Sequence, residues 1–225
     1  MARRKLSEAR RAQILQAAVA VIGERGLCDT RISDIAARAG SSSALVLYYF
    51  QSKDRLLGEA LAFSDEQFYA ETARELAGID SATGQLVRLI ELSCALGEEA
   101  GKDVLDEWVL WLDLWARAPR DRDVAKDREA LDRRWRDAIA DIVRAGQERG
   151  EFGPVDAEDF AIRLGAMIDG LAIQVVLGDP QVNAARMFEI CFRLAADDLG
   201  FHGPAAKRLR LEPPRRKRPA APRTR

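Results

Sequence analysis

Histidine is all but missing: His202 is the only one in 225 residues. It is the side chain that most readily moves protons and binds metals near neutral pH, so its scarcity argues against acid–base and metal chemistry. Cysteine is nearly as rare. Cys28, Cys94 and Cys191 are odd in number, far apart in sequence and include no C-x-x-C pair. They predict neither a disulfide framework nor a zinc site, and they suit a reducing compartment. No G-x-S-x-G occurs. Gly165 and Gly170 have phosphate-loop separation, but Leu171 stands where the loop lysine belongs. The expectation is therefore no enzyme, no cofactor and no metal. Long apolar runs are missing too, so no membrane span is predicted. The opening MARRKLSEARRAQILQAAVAVIGERG has basic residues before apolar ones, as a leader would. Glu8, Gln13 and Gln16 interrupt it and no cleavage site follows, so a cytoplasmic location is expected.

What is present is a globular composition, 48% apolar and 32% charged, in a length that suits one or two domains. The net charge of −1 hides a strong asymmetry. Residues 1–55 carry ten Lys/Arg against five Asp/Glu, residues 203–225 nine against one, and the middle 16 against 30. A basic head and tail around an acidic middle point to a polyanion at the ends.

Helical periodicity runs through the chain, and no strand alternation interrupts it. Ser7 is expected to cap a first helix whose Ile14, Ala17, Ala18, Val21 and Ile22 share a face, with Gly26 ending it. Thr30 is expected to cap a short second helix that stops at Gly40, and Ser42 a short third one. Ser52 opens a fourth, to about Ala77. Longer segments follow at 83–100, 102–117, 121–149, 157–177 and 183–199. The prediction is an all-α fold of about nine helices. It divides into an N-terminal three-helix domain (1–52), a helical bundle (53–202) and a basic tail (203–225) too rich in Pro and Arg to fold.

Helices two and three are each about two turns long, too short to exist unpacked. A tight Gly-containing turn joins them. That is the helix-turn-helix pattern, whose second helix enters the major groove of DNA. The stretch TRISDIAARAGSSSALVLYYFQSKDRLL resembles the signature of the TetR family of transcriptional regulators. Thr30, Asp34-Ile35-Ala36, Ala39-Gly40, Ser42, Tyr48, Phe50, Ser52-Lys53 and Leu56-Leu57 agree with it. The later RDAIADIVRAGQERGEFGPVDAEDFAIRLGAMIDGLAIQVVLGDP looks like the BetI-type ligand domain of the same family. The resemblance implies a bacterial, ligand-responsive repressor that binds a pseudo-palindromic double-stranded operator as a homodimer. It places Thr30, Tyr48, Tyr49 and Lys53 on the DNA backbone, with Ser42 starting the reading helix. Ser33, Ser43, Ala44, Leu45 and Leu47 would face base edges, with Arg31 and Ser33 supplying polar contacts. The chain departs from the family pattern at Ser41, Ala44, Leu45 and Leu47. Its reading face therefore has few groups for bidentate base bonds, and thymine methyls are the expected target of the leucines. Arg3, Arg4 and Lys5 suit an arm over the neighbouring groove.

In the larger domain Trp108, Trp111 and Trp115 share a stripe with Leu105 and Leu112. Two readings stand: core packing, or a cage for an organic cation favoured by the acidic middle. On the second reading the ligand residues are Trp108, Trp111, Leu112, Asp113, Trp115, Met167 and Gln174. Trp135 adds a fourth indole, and Asp106, Glu107 and Asp169 are further polar candidates. The segment 157–177 is apolar nearly all round, so a second copy is expected to cover it. Met187, Ile190, Cys191, Leu194 and Ala195 of the last helix would share that interface. Helix four connects the two domains. A helical adaptor that binds no DNA remains the alternative of another class; it has no need of Tyr48, Tyr49 and Lys53 in register.

Overall fold

The computed structural model describes residues 2–94 and 101–201, with side chains described for 7–94 and 108–201. The expected arm at Arg3, Arg4 and Lys5, the side chains of Leu105, Asp106 and Glu107, His202 and the basic tail all lie outside the described side chains. Among the described residues every regular element is a helix: α1 (Ala2–Asp29), α2 (Ile32–Arg38), α3 (Ser43–Phe50), α4 (Lys53–Leu76), α5 (Ala82–Ser93), α6 (Gly101–Arg117), α7 (Arg122–Glu148), α8 (Ala157–Val176) and α9 (Ala184–Leu199).

The helix starts follow from local chemistry. Ser42, Ser52 and Ser81 each accept a backbone N–H three residues on, from Leu45, Arg55 and Gly84 at 3.0–3.2 Å. Asp156 does the same for Asp159 at 2.8 Å. Each satisfies a donor that the first helical turn leaves without a partner. Two expected starts are corrected. Ser7 lies inside α1, not at its cap. Thr30 does not cap α2; Arg31 stands at that position, and Asp34 reaches back to its N–H at 3.1 Å. Gly26 does not end α1 outright. It takes φ 74° and ψ 159°, a conformation open to glycine, and kinks the helix so that Leu27–Asp29 turn toward α2.

Two apolar cores result. The body core joins α5, α7, α8 and α9 around Ile90, Val143, Phe160, Leu164 and Cys191. The head core joins α1, α2 and α3 to the first half of α4 (Leu56, Leu57, Ala60, Leu61) and to Leu110 and Leu114 of α6. The head core therefore does not close at residue 52. It takes in half of the connecting helix and two leucines from the following domain, because three short helices bury too little surface alone. On α9, Met187, Cys191 and Ala195 are buried in the chain's own core, while Ile190 and Leu194 of the expected intersubunit stripe are only half-buried. Cys191 meets Cys94 there, and that contact together with burial pushes the Cys94 thiol up. Both cysteines are free.

At the end of α7, Gly146 lies against the ring of buried Phe152. A methyl group there would fall 2.1 Å from a ring carbon. Phe152 cannot retreat, because Phe201 packs against it at 5.6 Å between ring centres. Gly146→Ala is expected to cost about 1–3 kcal/mol. Thermal unfolding should show a midpoint lowered by several degrees, with helix content retained.

Candidate DNA-reading helix and candidate effector pocket

Helix α3 is anchored from below by Val46 and Phe50, both fully buried. Arg11 of α1 lies over the Phe50 ring at 5.2 Å, fixing the roll of α3 about its axis. That roll leaves Ser43, Ala44, Leu45, Leu47 and Tyr48 in solvent, with Arg31 and Ser33 of α2 exposed beside them. Tyr48 is 78% exposed. Tyr49 is half-buried, edge-on to Tyr48 at 5.6 Å, with its hydroxyl 3.3 Å from Ser7 Oγ. Lys53 Nζ donates to Cys28 O at 3.4 Å, which holds the ammonium at the junction of α1 and α4. Ser42 is exposed while its oxygen caps α3. Thr30 differs from the expectation. It is 1% exposed, and its hydroxyl donates to Gly26 O at 2.8 Å. The kink at Gly26 frees that carbonyl from the helix ladder, and Thr30 satisfies it. Thr30 thus braces α2 from inside rather than offering a surface contact.

Between the two cores lies a cavity of about 240 Å³. Helix α4 supplies Asp65, Phe68 and Tyr69; α6 supplies Trp108, Trp111 and Trp115; α7 supplies Asp132, Trp135 and Arg136; and α8 supplies Ile162, Gly165 and Asp169. The indoles of Trp108 and Trp111 stand 6.3 and 5.8 Å from Trp115, and Phe68 meets Trp135 edge-on at 5.9 Å. The tryptophan stripe both packs and lines: Trp108 packs on the body core, Trp111 on the head core, and both border the cavity. Gly165 of α8 faces the Trp135 indole, where a Cβ would sit in ordinary contact at 3.5 Å.

The carboxylates are unequally served. Asp65 accepts from Arg134 at 3.1 Å, and Arg134 also stacks on Tyr69 at 3.9 Å. Asp132 pairs with Arg128. Asp169 has no hydrogen bond or ion pair among the described residues; burial and then Asp132 push its pKa up to about 7. Burial likewise pushes Asp65 up to about 6, against the pull of Arg134. The Tyr69 hydroxyl is buried without a partner, and its pKa is raised mainly by burial.

Four residues expected to hold ligand lie elsewhere. Asp113 is roughly 160° round α6 from Trp111, and its Oδ2 accepts the backbone N–H of Leu27 at 2.7 Å. Leu112 is half-buried, one step round the helix from the indoles. Met167 packs on the body core, and Gln174 is exposed with its amide near Gly170 O. Both lie roughly 140–160° from Asp169 on α8. The sequence reading passed over Asp65, Phe68, Tyr69 and Asp132. A signal was available: Asp65 with Phe68, and Asp132 with Trp135, repeat a carboxylate–aromatic pair at i, i+3, which places both on one helix face.

A two-helix reading head on a helical body with an aromatic, acidic cavity has the plan of a ligand-responsive DNA-binding transcriptional regulator. The chain belongs to the TetR family of bacterial regulatory proteins: residues 14–60 match the model of its N-terminal domain, and residues 82–200 that of the BetI-type transcriptional repressor C-terminal domain. It is 27% identical over 173 residues to the HTH-type transcriptional regulator BetI of Burkholderia thailandensis, covering 76% of this chain and 84% of that one. The Brucella suis BetI is 29% identical over 177 residues, covering 78% and 84%. Among solved structures, a transcriptional regulator from Saccharomonospora viridis in complex with choline is 34% identical, with a TM-score of 0.76 over 86% of this chain and 98% of that one. Among the described residues no helix is long and apolar enough to cross a membrane.

The raised carboxylates give a pH signature. A carboxylate whose folded pKa lies above its unfolded one holds its proton more tightly when folded. Its contribution to stability is complete below about pH 4 and is lost as pH rises through the folded value, here about 6 for Asp65 and about 7 for Asp169. The ligand-free protein should therefore lose thermal stability between about pH 4 and 7 and level off above that. Asp169→Asn should lose less over that range and melt higher than the parent at pH 8, as followed by circular dichroism.

Proposed function

We propose that this chain is a repressor that binds its operator as a dimer and is released by a small organic cation of the quaternary-ammonium class. The observation that carries the reading is Asp169, a carboxylate without a counter-ion facing a wall of indoles. Aromatic faces attract a diffuse cation, and an unpaired buried carboxylate gains most from one. Tyr69's unpartnered hydroxyl suits an oxygen carried by the same ligand. The Saccharomonospora viridis relative, solved with choline, supports this class. On the head, Tyr48, Tyr49 and Lys53 are assigned to phosphates, with Ser43 opening the reading helix and Arg31 and Ser33 beside it. For the dimer seam, Ile162, Ala166, Gly170 and Gln174 form an exposed row at four-residue spacing on α8, continued by exposed Leu177.

Coupling runs through α6. Its indoles face the cavity, Leu110 and Leu114 lie in the head core, and Asp113 holds Leu27 just past the Gly26 kink. A cation that shifts the indoles shifts the seat of α1 and α2, and hence the spacing of the reading helices. DNA weakens cation binding by the same factor.

Choline should change tryptophan fluorescence and weaken operator binding by about 5–150-fold, the usual range of such coupling. Asp169→Asn should bind operator normally yet fail to release it. If neither choline nor a polyamine alters fluorescence or operator affinity, the cationic reading is wrong. In the same gel-shift assay, Asp113→Ala should blunt release while leaving choline affinity nearly unchanged, and Asp113→Asn, which keeps an acceptor, should restore it. Tyr48→Phe and Lys53→Ala should weaken binding to all sequences alike, and Lys53→Ala should also flatten the salt dependence.

A further inference from the structure

The residues of α3, Ser43–Phe50, include no charged side chain and no side-chain amide. With Val46 and Phe50 buried, Leu45 is left 36% and Leu47 43% exposed. Leu45, Leu47 and Tyr48 are three of the five large apolar side chains left in solvent among the described residues; the others, Ile162 and Leu177, belong to the α8 region. Two leucines in water on so short a helix serve nothing in the free chain. They stand roughly 160° apart around α3, one on each shoulder, and only the methyl of Ala44 and the Tyr48 ring lie between them. So small a residue as Ala44 lets the helix backbone come close to whatever it docks against.

The occupant follows from family membership and from charge. α3 is the second helix of a helix-turn-helix, flanked by exposed Arg31 and by Lys53. In the major groove, guanine, cytosine and adenine present polar edges that a leucine cannot satisfy, whereas thymine presents its 5-methyl group. We propose that Leu45 and Leu47 determine operator specificity by contacting thymine methyls at two separate positions of each half-site. Polar base contacts then fall to Ser43 and to Arg31 and Ser33 of α2. This rests on the DNA-binding reading above and names what that surface recognises.

The test uses the full chain and an operator recovered by selection from genomic DNA. Single thymidines are replaced by deoxyuridine, which removes one methyl group and leaves pairing and phosphates unchanged. Two positions per half-site should each lose about fourfold in affinity, the value of one buried methyl. Leu45→Ala should be insensitive to one of these replacements and Leu47→Ala to the other. Both side chains are exposed, so the variants should keep the parent's circular dichroism. At the same positions, a thymidine-to-cytidine operator should regain affinity when the cytosine carries a 5-methyl group. If the selected operator binds tightly but no deoxyuridine replacement matters, or both variants stay as sensitive as the parent, methyl reading is overturned and DNA binding stands. If no sequence is retained at all, both readings fall together.

Discussion

Helix α6 has to be buried on two sides that belong to different cores. Leu110 and Leu114 complete the head, while Trp108 reaches the body. The head core cannot close without this helix, and the same helix lays Trp108 on the body, so the position of one half bears on the other. Asp113 tightens the dependence. Its carboxylate takes up the Leu27 N–H, one of the donors at the start of the short segment past the Gly26 kink. A charged acceptor makes the stronger kind of hydrogen bond. Thr30 closes the other side of the same kink by capping the Gly26 carbonyl. The reading helix is thus aimed by a bend whose two loose ends are tied, one within the head and one to the wall of the cavity.

The cavity has its chemistry because it lies at this seam. Five helices converge there, and α4, α6, α7 and α8 bring aromatic or acidic side chains that a closed core would exclude. Arg134 and Arg128 neutralise two of the carboxylates from outside, leaving Asp169 without a cation. Burial leaves Asp169 holding its proton to about pH 7. On the proposed cation reading the ligand would replace that proton, and the energy that burial withholds from the carboxylate would become available to binding. On that reading cation affinity and pH would be linked through the same group.

The helices were legible because their causes are local. Ser42, Ser52, Ser81 and Asp156 cap within three residues, and the apolar spacing of each helix needs no partner to be seen. The roles of Thr30 and Asp113 were not legible in this way. Thr30's hydroxyl turns inward only because a glycine four residues earlier leaves a carbonyl free, and Asp113 finds its partner 86 residues away. For the cavity, the tryptophan stripe could be read from spacing, but which side of α8 faced it could not. Helix α8 is apolar nearly all round, so its wheel carries no orientation, and Met167 and Gln174 were placed on the wrong side. Asp65 and Asp132 were hidden differently. They sit on helices whose many charges look alike until a fold separates the solvated ones from the enclosed.

A ligand shifts a conformational equilibrium only by binding its states unequally. A cavity inside the body core alone would keep its shape while the head moved, and its ligand would be indifferent to DNA. Here Trp111 packs on the head core and Trp108 on the body core, although both rise from one helix. Any change in the angle between the two cores changes the cage itself. The placement of the indoles across the seam, more than their number, is what makes this cavity suited to regulation.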